Sequence, residues 1–149
     1  MNDFDFFVGS WKVANRRLKT WLAGDTEWDE FEGTSVCRLL LDGVGMVDEM
    51  DFPSKGVTGM TVGFQDRKSG EWSLYWVDGR DGILTEPVVG EVSGGDGEFR
   101  GETVHNGRTV LVRNSWTGEN ADAFRWEQSF SADEGANWEL NWVMDFTRE

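Results

Sequence analysis

One cysteine, one histidine, one tyrosine and two prolines are all that 149 residues contain of those types. A lone Cys37 forbids an internal disulfide and cannot build a thiolate metal cluster. With His105 the single imidazole, neither a His/Cys zinc set nor a Ser-His-Asp constellation can be assembled. No apolar run approaches the roughly 20 residues that a bilayer-crossing helix needs. The opening MNDFDFFVGSW lacks the basic and long apolar regions of a secretory signal. These absences together predict a cytoplasmic protein. Basic residues are also scarce, 14 against 28 acidic ones, for a net charge of −14. Such a chain repels phosphate backbones and anionic membrane surfaces, so neither nucleic acid nor membrane is an expected partner. The acidity reads as a solvated exterior.

What the chain has in excess is nine Trp, ten Phe and nineteen Gly. Its length is that of one domain, spanning 1–149, with roughly two-thirds of its unfolded surface available for burial. So many indoles have to line something. Period-two alternation is the dominant pattern. Trp138, Leu140, Trp142, Met144 and Phe146 alternate with wetter residues, as do Phe124, Trp126, Gln128 and Phe130. The polar loop Ser131 to Ala136 joins these two strands. Met60, Val62 and Phe64 share a face, and after the turn Asp66 to Gly70 the strand bearing Trp72, Leu74, Trp76 and Asp78 returns. Gly94 to Gly97 and Asn106-Gly107 supply further hairpin turns.

The same test over the whole chain gives about ten strands, near 8–20, 27–39, 44–52, 57–65, 71–78, 87–93, 98–104, 108–116, 123–131 and 137–147. Arg16 to Ala23 has some helical character and is expected to hold a short helix or turn; Phe4, Phe6 and Phe7 suit a helical turn plugging one end. Many short antiparallel strands joined by hairpins predict an all-β, closed or nearly closed up-and-down barrel, because closure removes exposed edges.

The first strand opens on Phe6-Phe-Val-Gly9-Ser-Trp11 and the last ends on Phe146-Thr-Arg148. This resembles the lipocalin and calycin pattern, in which a Gly-x-Trp tryptophan lies under the arginine of the final strand. Trp126 to Gly135 and Trp138 to Arg148 further resemble a family of bacterial lipocalin-like proteins, a domain of unknown function. That resemblance implies a barrel and the structural pair Trp11 and Arg148, and it carries no activity. The haem-binding nitrobindin group opens with Gly-x-Trp-x-Gly-x-Gly, and here both later glycines are missing. No cofactor is therefore expected.

Candidate chemistry is sparse. His105 stands beside Asn106-Gly107 and is expected to face water rather than to ligate haem or a metal. Asp78-Gly-Arg-Asp81-Gly reads as a tight polar turn, because it lacks the twelve-residue acidic calcium pattern. The glycine clusters at Gly43 and Gly94 read as hairpins, and Cys37 as a small buried hydrophobe. More telling are polar residues in phase with apolar ones. Asp78 follows Trp76, Gln128 lies between Trp126 and Phe130, Asp48 lies between Met46 and Met50, and Asn15 and Arg17 continue from Val13. Buried polar groups need partners or a wet cavity, so Asp48 or Asp78 is expected to face Arg17 or Arg80.

Trp76, Trp126 and Trp142 then form the walls of a ligand site, with Arg17, Asp48, Asp78, Arg80 and Gln128 as its polar groups. The sequence thus points to a binder of a small apolar or aromatic molecule bearing a polar group, as a monomer or homodimer. The alternatives are a lyase or isomerase acting on a small organic acid, with a cavity carboxylate as base and an arginine holding the substrate, or a haem carrier. Trp72 and Trp138 are expected to point inward as well.

Overall fold

The computed structural model describes residues 3–149. The elements are ten strands: β1 (Gly9–Leu18), β2 (Trp28–Leu40), β3 (Gly45–Phe52), β4 (Val57–Gln65), β5 (Trp72–Asp78), β6 (Val88–Ser93), β7 (Asp96–His105), β8 (Arg108–Asn120), β9 (Ala123–Ser131) and β10 (Glu139–Arg148). Each pairs antiparallel with its sequence neighbour, and β10 returns to β1, so the sheet closes into an up-and-down barrel. Among the described residues the only helical turns are short 3-10 segments. No helix is long and apolar enough to cross a membrane. The alternation of apolar and polar residues is what selects this fold, since each strand has one face to bury and closure leaves little edge unpaired.

One barrel end is packed solid. Asp5–Phe7 forms a 3-10 turn that inserts Phe4 and Phe7 among Trp11, Trp72, Trp116 and Phe124. Trp72 Nε1 and Gln65 Nε2 both donate to the Asp3 carboxylate, which ties the N-terminal segment across the opening. The expected plug is therefore present. Trp11 donates its indole N–H to the Phe7 carbonyl at 2.8 Å, and the Arg148 guanidinium lies 4.2 Å from its ring centroid. Gly9 makes this possible. Its φ is +124°, and a Cβ there would stand 2.7 Å from an Arg148 guanidinium nitrogen.

The turn glycines and the remaining glycines have different tasks. Asn106 and Gly107 both take positive φ, 50° and 77°, as a two-residue hairpin requires. Gly33, in contrast, faces inward and carries the Phe52 ring, whose nearest atom would be 2.6 Å from an added Cβ. Bare backbone opposite large rings lets the barrel hold its aromatic load.

Two sequence expectations, those for Trp138 and His105, are corrected, and two others are made more definite. Arg16 to Ala23 contains no helix; β1 runs on to Leu18 and the chain then bends, with the Trp21 indole donating to the Leu18 carbonyl. Trp138 lies outside the barrel against Arg113, 4.4 Å from its ring centroid, because a bulge at Asn141 reverses the phase between Leu140 and Trp142. Met60, Val62 and Phe64 do share a face, but in register with Val77, Tyr75 and Ser73 it is the outer one, while Gly59, Thr61 and Gly63 face inward. His105 is half-buried rather than open to water, its Nε2 3.1 Å from the Trp21 carbonyl and its ring near Trp21 and Phe130.

Candidate functional site

Above the plug the barrel is hollow. A cavity of about 200 Å³ is walled by Trp76, Trp116, Trp126 and Trp142, with Met46, Met50 and Met144 filling between the rings. It continues into a mouth of about 230 Å³ lined by Arg17, Trp21, Lys55, Asp78 and Arg80, and Trp76, Gln128, Phe130 and Trp142 belong to both. Register explains the convergence. Asp48, Thr61 and Trp76 are direct neighbours across β3, β4 and β5. Asn114, Gln128 and Trp142 are likewise neighbours across β8, β9 and β10, and Trp142 meets Arg17 on β1.

All eight sequence candidates thus lie on one continuous hollow, and of the expected carboxylate–arginine pairs Asp78 with Arg80 is formed while Asp48 has no arginine partner. Asp48 is deep, 4% exposed, and its carboxylate accepts a hydrogen bond from Ser35 Oγ at 2.5 Å; no arginine reaches it. Burial pushes its pKa up to about 7, against the lowering effect of Ser35 and with a smaller contribution from Glu49. Neighbouring Cys37 is buried, and its thiol is pushed well above the ordinary range by desolvation and then by Asp48. That is the inert hydrophobe the sequence suggested. Asp78 instead sits at the rim, where Arg80 makes a two-pronged ion pair with it at 3.0 and 2.7 Å. The Arg80 hydrogen bond holds the Asp78 carboxyl below the usual range.

Further polar groups face the hollow. Gln128 Nε2 donates to the side-chain Oδ1 of Asn141 at 3.1 Å, and Trp142 donates its indole N–H to Asn15 Oδ1. Asn114 is buried on the wall, and the buried Trp116 indole N–H has no acceptor among the described residues. An unpaired buried donor costs a few kcal/mol unless something fills its site. Asn114, Trp116 and Thr61 also line the hollow and are not among the sequence candidates. The phase signal was present for two of them, because Asn114 and Trp116 continue the run of Val110 and Val112. Ser35 could be linked to Asp48 only through the strand register.

The wall has a gap. Strand β6 starts only at Val88, so the β7 segment from Glu102 to His105 has no partner on that side. The turn after β5 folds back instead, Thr85 N donating to the Trp76 carbonyl and Trp76 N to Thr85 Oγ1. Glu86 and Glu102 flank this side opening.

Gly59 sets the room available at the Trp76 wall. A Cβ at that position would meet the Trp76 ring at 2.3 Å. Gly59→Ala is expected to drive the indole into the hollow, shifting the tryptophan emission spectrum and weakening any cavity ligand at least several-fold. An unchanged spectrum and unchanged affinity would contradict this placement.

Among the described residues no three His, Cys, Asp or Glu side chains gather to hold a metal ion. His105 is directed at the Trp21 backbone. No protein-family profile matches the chain, and no curated protein is significantly similar to it. Fold and site chemistry therefore carry the functional reading, and what they define is an aromatic-walled hollow in a closed ten-stranded antiparallel barrel.

Proposed function

We propose that this protein is a lipocalin-like barrel that binds a small apolar or aromatic molecule bearing a polar group. The observation that carries the reading is the hollow itself, in which four indoles and three methionines surround a few polar groups that converge on one space. Small-molecule sites have this composition, largely apolar with sparse and well-placed hydrogen-bonding groups. The Trp11 and Arg148 pair at the closed end supports the lipocalin-like assignment.

Because the walls are indoles, binding is expected to quench tryptophan emission. Titration with aromatic acids, fatty acids and their neutral analogues should give at least one saturable response. Trp126→Leu is expected to reduce both the amplitude and the affinity by several-fold. A panel without a saturable response, or a response that Trp126→Leu leaves intact, would refute the reading.

One observation favours a second reading, acid–base catalysis on a small organic acid in the same hollow. Asp48 is a walled-in carboxyl with a pKa near neutrality, the property a general acid or base needs. Turnover that Asp48→Asn abolishes while the fold is retained would decide for it.

A further inference from the structure

Arg17 stands apart among the charged groups of the mouth. Lys55 is bridged to Asp29, and Arg80 to Asp78. The Arg17 guanidinium lies 4.7 Å from the Trp142 ring centroid and 5.1 Å from that of Trp21. It makes no hydrogen bond or ion pair with any described residue. The rings engage its charge but offer no acceptor to its five N–H groups. A half-buried guanidinium without an acceptor is an incomplete site, and the planar fork of Arg is matched by a carboxylate.

Electrostatics around it point the same way. The mouth is lined by three cations, Arg17, Lys55 and Arg80, against the carboxylates of Asp78 and of Asp29 bridged to Lys55, which leaves the Arg17 charge in excess. This excess occurs in a chain whose acids outnumber its bases by 28 to 14. The other opening carries Glu86 and Glu102, and the deep end carries Asp48. An anion is therefore favoured at the mouth alone, and a negatively charged group driven deeper would meet Asp48. Desolvation and the nearby Arg80 both lower the Arg17 pKa, while Asp29 and Asp78 oppose them. An arriving anion relieves that local cationic excess.

We propose that the mouth around Arg17 is a carboxylate clamp, so that the ligand is a planar aromatic monocarboxylate seated ring-inward among the indoles with its carboxylate on the Arg17 guanidinium. This rests on the hollow being a ligand site, and it adds the charge class and the orientation of what enters.

The test compares three probes of one shape: naphthoate, its neutral amide, and naphthylmethylammonium. Tryptophan quenching at neutral pH and low salt is expected to show naphthoate binding about ten-fold or more tightly than the amide, as a charge-assisted pair at a desolvated arginine allows, with the ammonium weakest. Arg17→Gln should collapse the acid-over-amide preference to about two-fold or less, and Arg17→Lys should retain part of it. Added salt should weaken naphthoate and spare the amide. Thermal melts of both variants report whether the fold is kept.

If the amide binds as tightly as the acid, if the ammonium binds best, or if Arg17→Gln weakens all probes alike, the clamp is wrong while the hollow remains a binding site. If no probe binds, the clamp and the small-molecule reading fall together.

Discussion

Trp11→Ala is expected to destabilise the protein by about 3–5 kcal/mol, which in a domain of this size lowers the melting temperature by roughly 10 °C. Trp11 is 1% exposed and meets Phe7, Phe124, Phe146 and Arg148, so truncation leaves a void among rings held by one another. It also frees the Phe7 carbonyl from its indole donor, loosening the plug. Arg148 fastens the same region from outside. Its guanidinium donates to the carbonyls of Phe6, Val8 and Ala121 and pairs with Asp122. A double-mutant cycle between Trp11→Ala and Arg148→Ala should therefore give a coupling of roughly 0.5–2 kcal/mol. Urea melts of the four proteins measure it. A loss below about 1 kcal/mol for Trp11→Ala, or additive effects of the two changes, would show that the closed end is not one packed unit.

The strands at this end of the barrel were legible in the sequence because they obey period two. Trp11 and Val13 pair with Arg148 and Phe146 through an unbroken register: phase turns Arg148 inward, and the resemblance to the lipocalin pattern is what pairs it with Trp11. The ten strands were legible for the same reason, their limits differing from the periodicity by only a few residues. Trp138 shows where such reasoning stops. The bulge at Asn141 turns Trp138 and Leu140 to the other face, and no residue type announces it. The site was legible residue by residue but only partly pair by pair, Asp78 with Arg80 being the pair that formed. Asp48, Trp76, Trp126, Gln128 and Trp142 were found by phase, while the partner of each depends on which strands adjoin. Asp48 met Ser35 rather than an arginine because β2, and not β1, lies beside β3.

The nine indoles now divide by task. Trp11 and Trp72 close one end, Trp76, Trp116, Trp126 and Trp142 wall the hollow, Trp21 flanks its mouth, and Trp28 and Trp138 lie outside under Arg16 and Arg113.

Raising the pH is expected to destabilise the wild-type protein relative to Asp48→Asn. The folded carboxyl titrates at about 7, whereas its ordinary value is 3.8, so between those values the folded state holds a proton that the unfolded chain releases. The contribution is fully present below the unfolded value and is lost as pH rises through about 7. Its upper bound is on the order of 4 kcal/mol, reduced by whatever relaxation or water entry eases the buried charge. Asparagine keeps an oxygen to accept from Ser35 and never ionises, so the variant removes this dependence while preserving the hydrogen bond. Asp25, Asp78 and Asp133 have lowered values and act in the opposite sense, but they are present in both proteins and cancel in the comparison. Urea unfolding should thus find the two proteins close at about pH 4 and Asp48→Asn the more stable by about 1–3 kcal/mol at about pH 8. A difference that stays constant between those conditions would mean that Asp48 is solvated when charged, and the acid–base reading of the hollow would lose its only titratable group at depth. A difference that grows as expected would make the same carboxyl a pH-dependent element of the cavity floor, neutral toward a ligand in mild acid and repelling its anions above neutrality.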